Sequence, residues 1–163
     1  MAMTVNGEYG IPAPGYRLPA ATRLGRVRLQ VADLVSSVTW YGDVLGLRVL
    51  ERSEASAVLG SIGGGAAPLV ELHERRGASP VPRQGRLGLY HFAILLPERA
   101  ALGAFVKYLA ERGERAGGSD HLVSEALYLN DPDGLGIEVY ADRPRAEWRQ
   151  RGQRAPRTPV RRV

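Results

Sequence analysis

The stretch GRVRLQVADL, residues 25–34, decides how the chain is read. Side chains alternate sides along a strand, so Val27, Leu29 and Val31 share one face while Arg26, Arg28 and Gln30 share the other. Asp33 follows as a helix N-cap. The row of two arginines and a glutamine faces either water or a polar cavity, and the rest of the chain has to say which.

Working outward, Leu34, Val38, Tyr41 and Leu45 recur at spacings of four, three and four and predict one amphipathic helix, closed by Gly46. Three strand-like runs follow: LRVLER (47–52), ASAVLGSI (55–62) and PLVELHE (68–74). Residues 75–86, punctuated by Gly and Pro, read as a linker. The pattern then starts again. GLYHFAILL (88–96) is an apolar strand, and residues 98–112 place Leu102, Val106 and Leu109 on one helix face before Gly113. A short strand near 114–118, SEALYLN (124–130), the turn DPDG (131–134) and GIEVYAD (136–142) complete the second copy. Each copy is β-α-β-β-β. Neither covers its own sheet, so the two are expected to pack together around a shared core.

Composition limits what this unit can be. With 44% hydrophobic residues in 163, one sizeable core forms, and the absence of cysteine excludes disulfides, thiolate metal sites and cysteine nucleophiles. Any metal must use His, Asp or Glu. The first 20 residues read as an arm without the charged start and apolar run of a signal peptide. No segment is apolar for long enough to span a bilayer, so the reading is a cytoplasmic protein with no membrane partner. The net charge of +5 is uneven: eight of 22 basic residues lie from Arg143 onward against one acid, Glu147, leaving 14 basic against 16 acidic residues before it. The basicity therefore belongs to residues 143–163, read as a flexible tail, and the folded unit, residues 21–142, shows no basic stripe that would take nucleic acid.

Setting the two opening strands in register, VRLQV over YHFAI, puts Arg28 opposite His91, and VELHE over IEVYA puts Glu71 opposite Glu138. Glu138, between Ile137 and Val139, must be paired, hydrogen-bonded or metal-bound if its face is covered, and is an ordinary exposed residue if it is open. His121 reads as a proton shuttle beside a substrate oxygen or as a turn histidine bonded to Asp120 or backbone. Tyr90, Tyr128 and Tyr140 read as strand residues with hydrogen-bonded hydroxyls, or as ligand contacts. His73 reads as a strand-end surface residue, and the glycines at 60–65 lack the Lys-Ser/Thr of a phosphate loop.

The paired pattern, with TRLGRVRLQVADL, WYGDVLGL, GLYHFAILLPERAAL, SDHLVSEALYLNDPDGLGIEVY and ADRPRAEW, resembles the vicinal oxygen chelate superfamily of glyoxalases, bleomycin-resistance proteins and dioxygenases. It is most similar to the N-terminal half of catechol 2,3-dioxygenase-like extradiol enzymes. The resemblance implies an α+β fold in which two βαβββ modules, about residues 24–75 and 87–142, pair into an eight-stranded cup. It implies a divalent metal, Fe(II) or alternatively Mn, Ni or Zn, held by His91, Glu138 and Glu71, with His121 catalytic and Arg28 and Tyr128 binding the substrate. It also implies a small aromatic or vicinal-oxygen ligand and a homodimer. Arg28 departs from the pattern, because a guanidinium stays protonated and cannot ligate a metal. Two functions stay open: a metal-dependent dioxygenase or lyase, and a metal-free module for sequestration or dimerisation.

Overall fold

The alternation in the opening stretch produces strand β1 (Val27–Val31), with Leu29 and Val31 buried and Arg28 and Gln30 exposed. The computed structural model describes residues 15–63, 67–79 and 88–148. Helix α1 (Leu34–Asp43) starts where Asp33, in extended backbone, accepts the Ser36 N–H at 2.6 Å. It buries Leu34, Ser37, Val38 and Tyr41. Beyond its end, Gly46 takes φ +68° and donates its N–H to the Gly42 carbonyl at 3.0 Å, a reversal that costs glycine little. Strands β2 (Arg48–Arg52), β3 (Ser56–Gly60) and β4 (Pro68–Glu74) run antiparallel in succession, and β4 returns parallel to β1, giving the order β1-β4-β3-β2.

The second copy repeats this order. Strand β5 (His91–Leu95), helix α2 (Arg99–Arg112) and strands β6 (Gly117–Asp120), β7 (Ser124–Asn130) and β8 (Gly136–Asp142) form a sheet ordered β5-β8-β7-β6. The fold is α+β, and the eight strands divide into two mixed sheets of four. Strand β6 lies three residues beyond the start expected from the sequence. Its GGSD carries no apolar alternation, and pairing with β7 from Gly117↔Tyr128 to Asp120↔Glu125 is what makes it a strand. Most of the 75–86 linker and of the glycine run falls at 80–87 and 64–66, outside the described residues.

One apolar cluster serves both copies, drawing Leu29, Tyr41, Leu59 and Leu72 from the first and Phe92, Leu109, Ile137 and Val139 from the second. Polar contacts fasten the copies together. The turn expected at DPDG is present, with Asp131 Oδ1 accepting the N–H groups of Asp133 at 3.0 Å and Leu135 at 2.8 Å. It also reaches the first copy. Buried Tyr41 donates its hydroxyl to Asp131 Oδ2 at 3.1 Å, and Ala32 donates its N–H to Asp133 Oδ2 at 2.9 Å. On the other side, the Tyr108 hydroxyl of α2 donates to the Asp43 carbonyl at the end of α1.

The flexible tail expected from Arg143 is corrected at its start. Arg143 Nη2 lies 2.9 Å from both Asp120 and Glu125, and its carbonyl accepts the Trp148 indole N–H at 2.8 Å. Arg145 stacks on the Trp148 ring at 3.7 Å. Residues 143–148 are thus part of the folded unit, and 149–163 lie outside the described residues. Among the described residues, no helix is long and apolar enough to cross a membrane.

Candidate functional site

The polar row of β1 and the inward face of β4 meet on one side of the first sheet. Parallel pairing sets Arg28 beside Glu71 and Gln30 beside His73. Glu71 is only 7% exposed, and a buried carboxylate needs compensating charge. Arg28 Nη2 approaches its Oε1 at 2.8 Å and Arg26 Nε its Oε2 at 2.6 Å, the latter a close ion pair without hydrogen-bond alignment. His73 Nε2 lies 2.5 Å from Oε1. The His73 hydrogen bond, and after it Arg28 and Arg26, hold the Glu71 carboxyl below the usual carboxylate range, against desolvation that pushes it up. Arg28, Leu29, Gln30 and His73 line a depression of about 380 Å³ beside this cluster. His73, read from the sequence as a strand-end surface residue, keeps a side chain 39% exposed near the end of β4 and is also one of the groups on Glu71.

The second sheet carries a matching cluster with different chemistry. His91 Nε2 lies 3.2 Å from Glu138 Oε2, and His121 Nε2 lies 3.8 Å from Oε1. Tyr128, opposite Glu138 in the ladder, has its hydroxyl 2.9 Å from His121 Nε2. Burial, and then the Glu138 carboxylate, push the Tyr128 hydroxyl pKa up. Gly136 makes room for His91: a Cβ there would meet the Tyr90 carbonyl at 2.9 Å and His91 Cβ at 3.0 Å. His91 Nδ1 is buried without a hydrogen-bond partner among the described residues. Tyr90 is 83% exposed, and Tyr140 is half-buried.

The ladders correct one equivalence. Glu71 pairs with Arg28 on β1, whereas Glu138 pairs with Ala93 on β5. Superposing the two carboxylates therefore matches Arg28 with Ala93 and places Arg26, not Arg28, at the position of His91. The two alignments made from the sequence therefore do not hold together: with the last strands matched on their carboxylates, the first strands are two residues out of step. Fixing the register on the carboxylates rather than on the apolar runs is the signal that finds Arg26. For His73, the signal is its place two residues after Glu71 on the same face.

The donor set does not fit a metal ion as it stands. On the first sheet the carboxylate is already engaged by two guanidiniums, which cannot deprotonate. Among the described residues, no three His, Asp or Glu side chains are gathered into a set that could hold one, so His91, Glu138 and Glu71 are not assembled as the expected ligand trio. What the first cluster offers chemically is hydrogen-bond donors and positive charge; the second offers imidazoles and a phenol around a carboxylate.

Comparison with known proteins bears on the family and on the fold. The family model described as "Glyoxalase/Bleomycin resistance protein/Dioxygenase superfamily" matches residues 23–139. A catechol-2,3-dioxygenase of Bacillus subtilis (strain 168) is 45% identical over 129 residues, which are 79% of this chain and 45% of that protein. The chain thus spans less than half the length of that relative. Among solved structures, a glyoxylase/bleomycin resistance protein/dioxygenase domain from Frankia sp. EAN1pec superposes with a TM-score of 0.61 at 22% identity, covering 75% of this chain and 98% of that one. A lactoylglutathione lyase from Agrobacterium tumefaciens gives a TM-score of 0.57 at 20% identity, with 76% and 96% covered. These two likenesses bear on the fold alone.

Proposed function

The chain belongs to the glyoxalase/bleomycin resistance protein/dioxygenase superfamily, and from that premise we propose that it binds a small aromatic molecule bearing a phenolate or carboxylate, without a metal, in the depression on the first sheet. The observation that carries this reading is the charge balance around Glu71. Two guanidiniums face one carboxylate, so the corner holds a surplus positive charge. Arg28 is 66% exposed, and its fork has N–H donors beyond the one on Glu71 that can take an oxyanion. Gln30 and His73 line the same depression and add further polar groups beside Arg28. Titration calorimetry with catechol and benzoate tests it. Arg28→Ala is expected to weaken binding about ten-fold, the worth of one charge-assisted hydrogen bond; unchanged affinity in that variant rules the reading out.

A second reading, proton-transfer chemistry on a small vicinal-oxygen substrate, is favoured by the second sheet, where two imidazoles and a phenol surround Glu138. There His121 and Tyr128 would hold and move protons beside the substrate oxygens. Isomerisation of a hemithioacetal that disappears in His121→Ala supports this reading over the first. Assembly as a homodimer belongs to the proposal too. It is supported by Leu89, Tyr90 and Leu95, which are exposed at or beside the edge strand β5, and sedimentation velocity checks it.

A further inference from the structure

The two carboxylate corners occupy the same place on two copies of one fold and differ in one respect. At Glu138 the residue two positions before the ladder partner is His91; at Glu71 it is Arg26. His91 reaches a Glu138 carboxylate oxygen at 3.2 Å and Arg26 a Glu71 carboxylate oxygen at 2.6 Å. An imidazole in this position can share a carboxylate with a cation or ligate one. A guanidinium is itself the cation, and it is permanent.

We infer that Arg26 is a built-in counter-cation, filling at Glu71 the place a divalent ion would need and closing the first corner to metals. Three features support this. Glu71 is nearly buried, so some positive charge must accompany its ionised form. Arg26 faces Oε2 and Arg28 faces Oε1, so each oxygen already has a cation beside it that would repel an ion. His73 already stands 2.5 Å from Oε1, so carboxylate and imidazole are in place and the permanent cations beside them are what oppose ligation. The cation-filled corner is thus the work of two arginines, of which Arg26 stands where His91 stands on the second sheet. This inference is independent of which small molecule the depression takes.

The test is metal uptake, measured by equilibrium dialysis with Ni(II), Zn(II) and Mn(II) on untagged protein. Arg26→His is expected to bind one equivalent of Ni(II) or Zn(II) at least about ten-fold more tightly than the unaltered chain, because a fixed charge at contact distance is replaced by a ligand. The gain should vanish when Glu71→Gln or His73→Ala is added. Arg28→His, which leaves Arg26 on Oε2, should gain much less. Arg26→Gln removes the charge at similar volume and is expected to show a smaller gain of the same sign, which keeps the test decisive if Arg26→His does not fold. The inference is overturned if the unaltered chain takes up metal in a way that Glu71→Gln abolishes. It is equally overturned if Arg26→His and Arg26→Gln, folded by circular dichroism, gain nothing.

Discussion

Glu71 and Glu138 show how far neighbours decide what one residue can do. With His73 and two arginines on it, Glu71 is held ionised below the usual carboxylate range. A depressed folded pKa contributes stability above the unfolded value, and that contribution is lost as pH falls through the folded one. Glu71→Gln should therefore flatten the acid limb of the stability curve measured by urea unfolding, with its largest cost at neutral pH, where the arginines lose their partner. Gly136 makes a steric counterpart on the second sheet. Gly136→Ala would press its methyl on the Tyr90 carbonyl and His91, and overpacking of this kind costs about 1–3 kcal/mol. A lowered melting temperature checks it, at roughly 2–4 °C per kcal/mol for a chain of this size. At this scale the sequence was legible in part. Setting the repeated strands side by side singled out Glu71, Glu138 and His91, but apolar runs alone do not fix a strand's offset, because a shift by two preserves every face. Hence Arg28 was matched where Arg26 belongs.

Elements were the more readable level. Strands β4, β7 and β8 fall at the limits that alternation and turn residues set, and α1 begins at the cap Asp33 provides. Strand β6 escaped because its strand character comes from β7 across the ladder rather than from its own residues. The start of the basic segment escaped for a similar reason. Composition marks it as soluble chain, while its anchoring depends on Asp120 and Glu125, far away in sequence. Glu125 receives Arg99 as well as Arg143, and the two hold its carboxyl below the usual range. Arg143→Ala is expected to release residues 143–148, seen as faster cleavage there in limited proteolysis and as a red shift of Trp148 emission measured in a Trp40→Phe background.

For the whole molecule, the decisive contact is the one between the DPDG turn and α1. Asp131 is buried, and desolvation pushes its carboxyl up against the hydrogen bonds from Leu135, Tyr41 and Asp133. With a raised folded pKa, stability is greatest below the unfolded value and falls as pH rises through the folded one. Tyr41→Phe removes one of the opposing donors. It is expected to cost about 1–3 kcal/mol, more at neutral pH than in mild acid, as denaturant midpoints across pH would show. The sequence identified the turn but not its partner, since a turn motif says nothing of what its side chains meet 90 residues away. That contact joins one copy's helix to the other copy's turn, and nothing in it requires both to come from the same polypeptide. The first copy of one chain could seat against the second copy of another with the same hydroxyl, carboxylate and amide satisfied. The bracket that stabilises the monomer is thereby also a route to domain swapping at high concentration, and weakening it with Tyr41→Phe should lower the swapped fraction and the folded monomer together.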